Sequence, residues 1–157
     1  MLAACCGLRR GEILALTPED LDDNNILHIN KTIVRSTSGE FILKHCPKTK
    51  GSIRDIYVPD EVANLIRKKK VICDYYPDSV NAWLLRTEKK LGIQKFSFHK
   101  LRHYFCTTLH ENGIPDAVIM KLGGWSDPSV MTRIYRHGRS DFDTMANAAL
   151  ITSKGLF

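Results

Sequence analysis

The stretch FSFHKLRHYFCTTLHENG at residues 96–113 brings His99, Arg102 and His103 close together. At about 100° per residue, positions three and four apart share a helix face. Leu101, Phe105 and Leu109 recur at spacings of four and form a separate apolar stripe. The pattern predicts a helix with a buried side and a cationic, proton-handling side. Three chemistries suit such a side. The first is metal binding, because His99 and His103 have the spacing of the zinc hydrolases. That motif needs a Glu directly after its first His as general base. Lys100 stands there instead, a cation that opposes a bound metal. The second is DNA reading. IPDAVIMKLGGWSDPSVMTRIYRHGR reads as two helices joined through Gly123-Gly124, as in helix-turn-helix regulators. Its second helix offers few base-reading groups and leaves His99 and Arg102 without a role. The third is anion chemistry. Arg102 can hold a phosphate by two parallel hydrogen bonds, and His99, one turn back, can carry a proton near neutral pH. Phosphoryl transfer asks for positioning and charge stabilisation around phosphorus, which one arginine rarely supplies. A second arginine, a nucleophile and an acid must then come from elsewhere in the chain.

The elements that would position these groups fall into two halves. EILALTPEDLD predicts a short helix that breaks near Thr17-Pro18. Leu27, Ile29 and Ile33 share odd positions, which predicts a half-buried strand. Ser38-Gly39 is a turn, EFILKHC a second strand, and PKTKGS another reversal. IRDIYVP is a third strand, with Arg54, Ile56 and Val58 on one face. Together they predict an antiparallel sheet of about three strands. From Pro59 onward the chain reads as helices: DEVANLIRKKKVICDYY, then SVNAWLLRTEKKLG stopped by Gly92, then the His–Arg helix ended by Gly113, then PDAVIMKLGG. Asp127 suits an N-cap and Pro128 a first helical position, opening PSVMTRIYRHG. DFDTMANAALI is a last helix. The expected class is α+β: one mostly helical domain over residues 1–157 with a small antiparallel sheet.

Charge agrees with a polyanionic partner. Twenty-three Lys and Arg against seventeen Asp and Glu leave the chain at +6. The five cysteines, Cys5, Cys6, Cys46, Cys73 and Cys106, contain no Cys-x-x-Cys pair and do not resemble a zinc site. With no signal sequence they suit reduced thiols in the cytoplasm. No apolar run is long enough to span a membrane. The opening MLAACCGLRRGEILAL starts inside what reads as a helix, without a capping signal. It leads us to expect a fragment.

Four boxes in one order resemble the catalytic domain of the tyrosine recombinase (phage integrase) family. GLRRGEILAL looks like the family's first box and points to Arg9, with Glu12 as a supporting partner. PKTKGSIRDIYVP is similar to the family's hairpin, whose lysine falls on Lys48. HKLRH matches the His-x-x-Arg box through His99 and Arg102. LGGWSDPSVMTRIYRH resembles the closing box, which ends in the nucleophilic tyrosine, here Tyr135. Most members carry a His where Trp125 falls. An indole N–H donates one hydrogen bond but exchanges no proton. Trp125 therefore either holds a phosphate oxygen or packs the site.

The resemblance implies the DNA breaking-rejoining fold and site-specific recombination without metal or cofactor. Tyr135 would attack a phosphodiester, form a 3′-phosphotyrosyl link and release a 5′-hydroxyl. A second 5′-hydroxyl would reverse the step. Arg9 and Arg102 would clamp the non-bridging oxygens, His99 would take the phenol's proton, and Lys48 would protonate the leaving oxygen. Lys44 and Lys50 are rivals of Lys48 and, with Arg133 and His137, candidate DNA contacts. Cys106 reads as packing. The resemblance further implies double-stranded DNA as partner, a homo-tetramer on two DNA sites, accessory bending or directionality proteins, and service to a mobile element or prophage. It places an absent DNA-binding domain and first catalytic-domain helix ahead of this segment. A helix-turn-helix regulator and a type IB topoisomerase-like relaxing enzyme are the alternatives.

Overall fold

The computed structural model describes residues 1–45, 53–70 and 72–130. Helix α1 spans Leu2–Cys5 and α2 spans Arg10–Ala15, and a 3-10 turn follows at Pro18–Asp20. The break at Thr17-Pro18 is held by Asp20, whose Oδ2 accepts the Thr17 backbone N–H at 2.7 Å. Four strands come next: β1 Ile26–Ile29, β2 Thr32–Arg35, β3 Phe41–Lys44 and β4 Arg54–Tyr57. Four helices complete the described chain: α3 Asp60–Arg67, α4 Ser79–Leu91, α5 Phe98–Glu111 and α6 Asp116–Gly123. None of the described helices is long and apolar enough to cross a membrane.

The sheet differs in detail from the three strands expected. Strand β1 pairs antiparallel with β4, placing Ile29 opposite Arg54. Strand β2 pairs antiparallel with β3, placing Arg35 opposite Phe41. The described strands thus form two separate ribbons. The stretch read as one strand divides at Asn30-Lys31, where the Lys31 ammonium is drawn to Asp20 at 2.8 Å. Leu27 and Ile29 stay in the core, while Ile33 moves to the second ribbon against α2. That approach depends on Gly11, because a Cβ there would lie 2.4 Å from the Ile33 carbonyl oxygen.

Burial follows the helical and strand periods. One apolar cluster joins Leu8, Leu16, Leu27, Ile29, Ile56, Val58 and Ile66 across the opening helices, the β1–β4 ribbon and α3. A second centres on Cys106 and Ile119, with Leu109, Ile114, Met120 and Trp125 packed against it. Cys106 is fully buried, as its packing role required. Helix α3 stops well short of the end of the DEVANLIRKKKVICDYY segment. One turn past Ile66 the sequence offers Lys69 and Lys70, which have nothing to bury, so the packing that sustains a short helix ends there. Gly92 and Gly113 terminate α4 and α5 at positive φ. Asp127 accepts the Ser129 backbone N–H at 2.9 Å, the N-cap geometry expected of it. The helices expected beyond Val130 lie outside the described residues.

Candidate active site

Arg9 is the N-cap of α2, and Glu12 occupies the third helical position. A carboxylate there reaches back to the N-cap, and Glu12 Oε2 accepts the Arg9 backbone N–H at 2.8 Å. Its Oε1 accepts the Arg9 guanidinium at 2.7 Å. Glu12 is 2% exposed. Burial alone pushes its carboxyl up, but hydrogen bonds and charge from Arg54 and Arg9 overcome that and hold it below the usual value.

Arg54 is the group that sequence reasoning missed. Its Nη1 and Nη2 donate to the two Glu12 carboxylate oxygens at 3.1 and 2.9 Å, a two-point pairing buried on both sides. Its Nε donates to the Leu122 carbonyl at 2.7 Å. A signal was present in the strand pattern. Arg54 shares parity with Ile56 and Val58, both in the core, and a charge on the inward face of a strand must have a buried partner.

Arg102 lies on the buried side of α5 together with Phe105 and Cys106. The expected separation into an apolar stripe and an open cationic side therefore fails at this residue. The reason is that the fold supplies acceptors for it. Arg102 donates from Nη1 to the Gly7 carbonyl and from Nη2 to the Gly123 carbonyl at 2.5 Å. Its guanidinium also stacks on the Trp125 ring, 3.9 Å from the centroid. Burial, then repulsion from Arg9, lowers it to about 9, which leaves it charged at neutral pH.

Arg9 Nη2 donates to the Gly124 carbonyl at 2.6 Å. Arg54, Arg102 and Arg9 thus take three successive carbonyls, Leu122, Gly123 and Gly124, at the end of α6. Terminal carbonyls of a helix lack partners within it and carry its negative dipole end, so three guanidinium groups suit the place. Trp125 lies just beyond, half-buried, and it explains the preceding residue. A Cβ on Gly123 would fall 2.0 Å from the indole ring.

His99 opens α5, exposed at one end of the arrangement, with its ring edge-on to His103 at 4.7 Å between centroids. Partial burial, then the charges of Arg102 and Arg9, lower its pKa, so it stays neutral and able to accept a proton at physiological pH. Leu8, Arg9, Arg10, Asn81, Ser97, Phe98, His99 and Arg102 line one cleft of about 310 Å³. A larger groove of about 400 Å³ shares its Arg10 and Phe98 walls, but Leu14, Trp83 and Leu101 make it mostly apolar, and neither Arg9, His99 nor Arg102 lines it.

Arg9, Glu12, His99, Arg102 and Trp125 therefore come together. Lys44 is exposed at the end of β3 and does not line the cleft. Lys48, Lys50, Arg133, Tyr135 and His137 lie outside the described residues.

Residues 1–141 match the model of the phage integrase family. Among curated relatives, a XerC-like tyrosine recombinase of Caldanaerobacter subterraneus subsp. tengcongensis is 28% identical, over 87% of this chain and 44% of its own length. The integrase of Staphylococcus phage L54a is 31% identical, over 89% of this chain and 47% of its own. The chain thus spans about half the length of these relatives. Among solved structures, the Tn1549 transposon integrase in complex with circular intermediate DNA superposes with a TM-score of 0.70 at 23% identity, covering 95% of this chain and 57% of that one. XerA recombinase superposes with a TM-score of 0.65 at 21% identity, covering 94% and 55%. These two likenesses establish the fold.

Proposed function

Because this chain belongs to the phage integrase family, we propose that it is the catalytic domain of a tyrosine site-specific recombinase, which cleaves and rejoins double-stranded DNA. The observation that carries this reading is the meeting of Arg9, His99 and Arg102 at one cleft, with Glu12 fixing Arg9. Tyr135 Oη attacks phosphorus; the new O–P bond forms as the bond to the 5′-oxygen breaks. The phenol, with an ordinary pKa of about 10, needs a base, and neutral His99 accepts its proton. Lys48 gives a proton to the leaving 5′-oxygen. Arg9 and Arg102 stabilise the charge that builds on the non-bridging oxygens. Attack by a 5′-hydroxyl of a second strand reverses each step and restores a phosphodiester. The phosphotyrosyl link keeps the ester bond, so no nucleotide cofactor or metal enters the cycle.

On this reading the reaction integrates or excises a mobile element or prophage in the cytoplasm. Four copies work on two DNA sites, with accessory bending or directionality proteins. The regulator alternative gives Arg9, His99 and Arg102 no shared task, so their meeting at one cleft favours the enzyme.

The test is covalent capture of a nicked duplex in EDTA. Wild type forms a protein–DNA adduct, and Tyr135→Phe, folded as judged by its melting curve, forms none. An undiminished adduct in that variant removes Tyr135 from the mechanism, and loss of wild-type cleavage on chelation replaces it with a metal nuclease. Relaxation of supercoiled DNA without exchange between two sites would assign the topoisomerase activity instead.

A further inference from the structure

We propose that the cleft holds a second backbone phosphate of the bound strand, beside the reacting one, on Arg10 and Asn81. The inference rests on the reading of the cleft as a DNA site. Arg9, His99 and Arg102 account for one phosphate. The cleft, at about 310 Å³, holds roughly ten water volumes at about 30 Å³ each, more room than that phosphate fills.

The polar groups left over in its wall, Arg10, Asn81 and Ser97, are donors. Arg10 is half-buried and lines the cleft. Its neighbour Arg9 is engaged by Glu12 and Gly124, and Arg102 by Gly7 and Gly123. Arg10 by contrast has no hydrogen bond or ion pair among the described residues. Asn81, in the first turn of α4, adds an exposed amide that is likewise unengaged there. Ser97, the N-cap of α5, makes no capping bond with its hydroxyl. Beside them Arg102 Nε, already counted to the reacting phosphate, is buried and lacks a partner among the described residues, which marks the same wall as one that a ligand completes. A buried donor without an acceptor is costly, and such groups mark places where a ligand supplies one. No carboxylate among the described residues lines the cleft. A guanidinium, an amide and a hydroxyl are the donors that bind phosphate oxygens of a nucleic-acid backbone and fix its register.

Arg10 and Asn81 are thus binding residues for the strand, separate from the groups that act on the reacting phosphorus. The experiment is the salt dependence of reversible binding to a mixed-sequence DNA duplex, read for the wild-type chain, Arg10→Gln, Arg10→Lys, Asn81→Ala and Arg67→Gln. Loss of one phosphate contact lowers the slope of log affinity against log salt by about 0.9. The affinity deficit of Arg10→Gln is therefore about 3- to 4-fold larger at 50 mM than at 200 mM salt. Arg10→Lys restores the slope. Asn81→Ala, which removes a neutral donor, weakens binding at every salt concentration without changing the slope. Arg67, exposed on α3 and outside the cleft, serves as the control for net charge.

A wild-type slope in Arg10→Gln overturns the proposal, as does an equal change in Arg67→Gln, failure of Arg10→Lys to restore the slope, or wild-type binding by Asn81→Ala. Should Arg10→Gln fail to fold, Asn81→Ala, exposed on its helix, decides. If the wild-type chain neither binds nor captures DNA, the recombinase reading itself falls. Covalent capture by the wild type with an unchanged slope in Arg10→Gln removes the second phosphate alone.

Discussion

Glu12 accepts four N–H groups on its two oxygens, from the Arg9 backbone, the Arg9 guanidinium and both terminal nitrogens of Arg54. A carboxylate so placed does two jobs. It orients Arg9, and it neutralises a guanidinium that would otherwise be buried alone. Removing its charge leaves Arg54 uncompensated, and breaking such a buried pair costs about 3–5 kcal/mol. Glu12→Gln is expected to lose that much in urea unfolding at neutral pH. The pH dependence has a definite sign. The folded-state pKa lies below the ordinary glutamate value of 4.5, so the stabilisation is complete above that value and is lost as pH falls through the folded pKa. The gap between wild type and Glu12→Gln is therefore expected to close below about pH 4.5 in a pH series of unfolding curves. A gap that stays constant into acid would show that Glu12 acts by shape rather than charge.

At the scale of elements, the end of α6 decides how the arginines sit. Gly124, at φ +68°, turns the chain, and Gly123 leaves the room for Trp125 to return over its own helix end and against Arg102. Trp125 also belongs to the second apolar cluster. Gly123→Ala puts a methyl group into the indole ring, and overpacking of this kind costs about 1–3 kcal/mol. The same change is expected to slow adduct formation, since Arg102 and Trp125 move together. Trp125→Ala removes the obstacle, so the two substitutions combined should cost less than their sum, by at least about 0.5 kcal/mol. Additive losses in a double-mutant cycle of thermal unfolding would mean that the ring is not what excludes a side chain at Gly123.

At the scale of the whole molecule, Arg54 connects parts that the two apolar clusters leave separate. It starts from β4, reaches Glu12 on α2 and ends on the Leu122 carbonyl of α6. The first cluster contains α2 and the β1–β4 ribbon, and the second contains α5 and α6. The groups proposed for catalysis are divided the same way, Arg9 with the first and His99 and Arg102 with the second. Arg54→Met is expected to cost about 3–5 kcal/mol by stranding Glu12. In hydrogen exchange, amides of α6 should lose protection before those of β1 and β4. Uniform loss across both halves would show that other contacts join them.

Much of this was legible from residue order. Period and punctuation located α4, α5 and α6, with their stops at Gly92 and Gly113, because those signals are local and a helix needs little else. The family was legible through boxes in a recognisable order, and four residues that those boxes name, Arg9, Glu12, His99 and Arg102, come together in the structure. Other features were not. The division of the sheet into two ribbons turned on Lys31 meeting Asp20 and on the space at Gly11, both contacts across the chain. The burial of Arg102 and the role of Arg54 were decided by carbonyls at residues 7, 122 and 123. A one-dimensional pattern states which side chains carry charge. Only the tertiary structure determines which main-chain acceptors come within hydrogen-bonding distance, and a guanidinium can be buried only where they do.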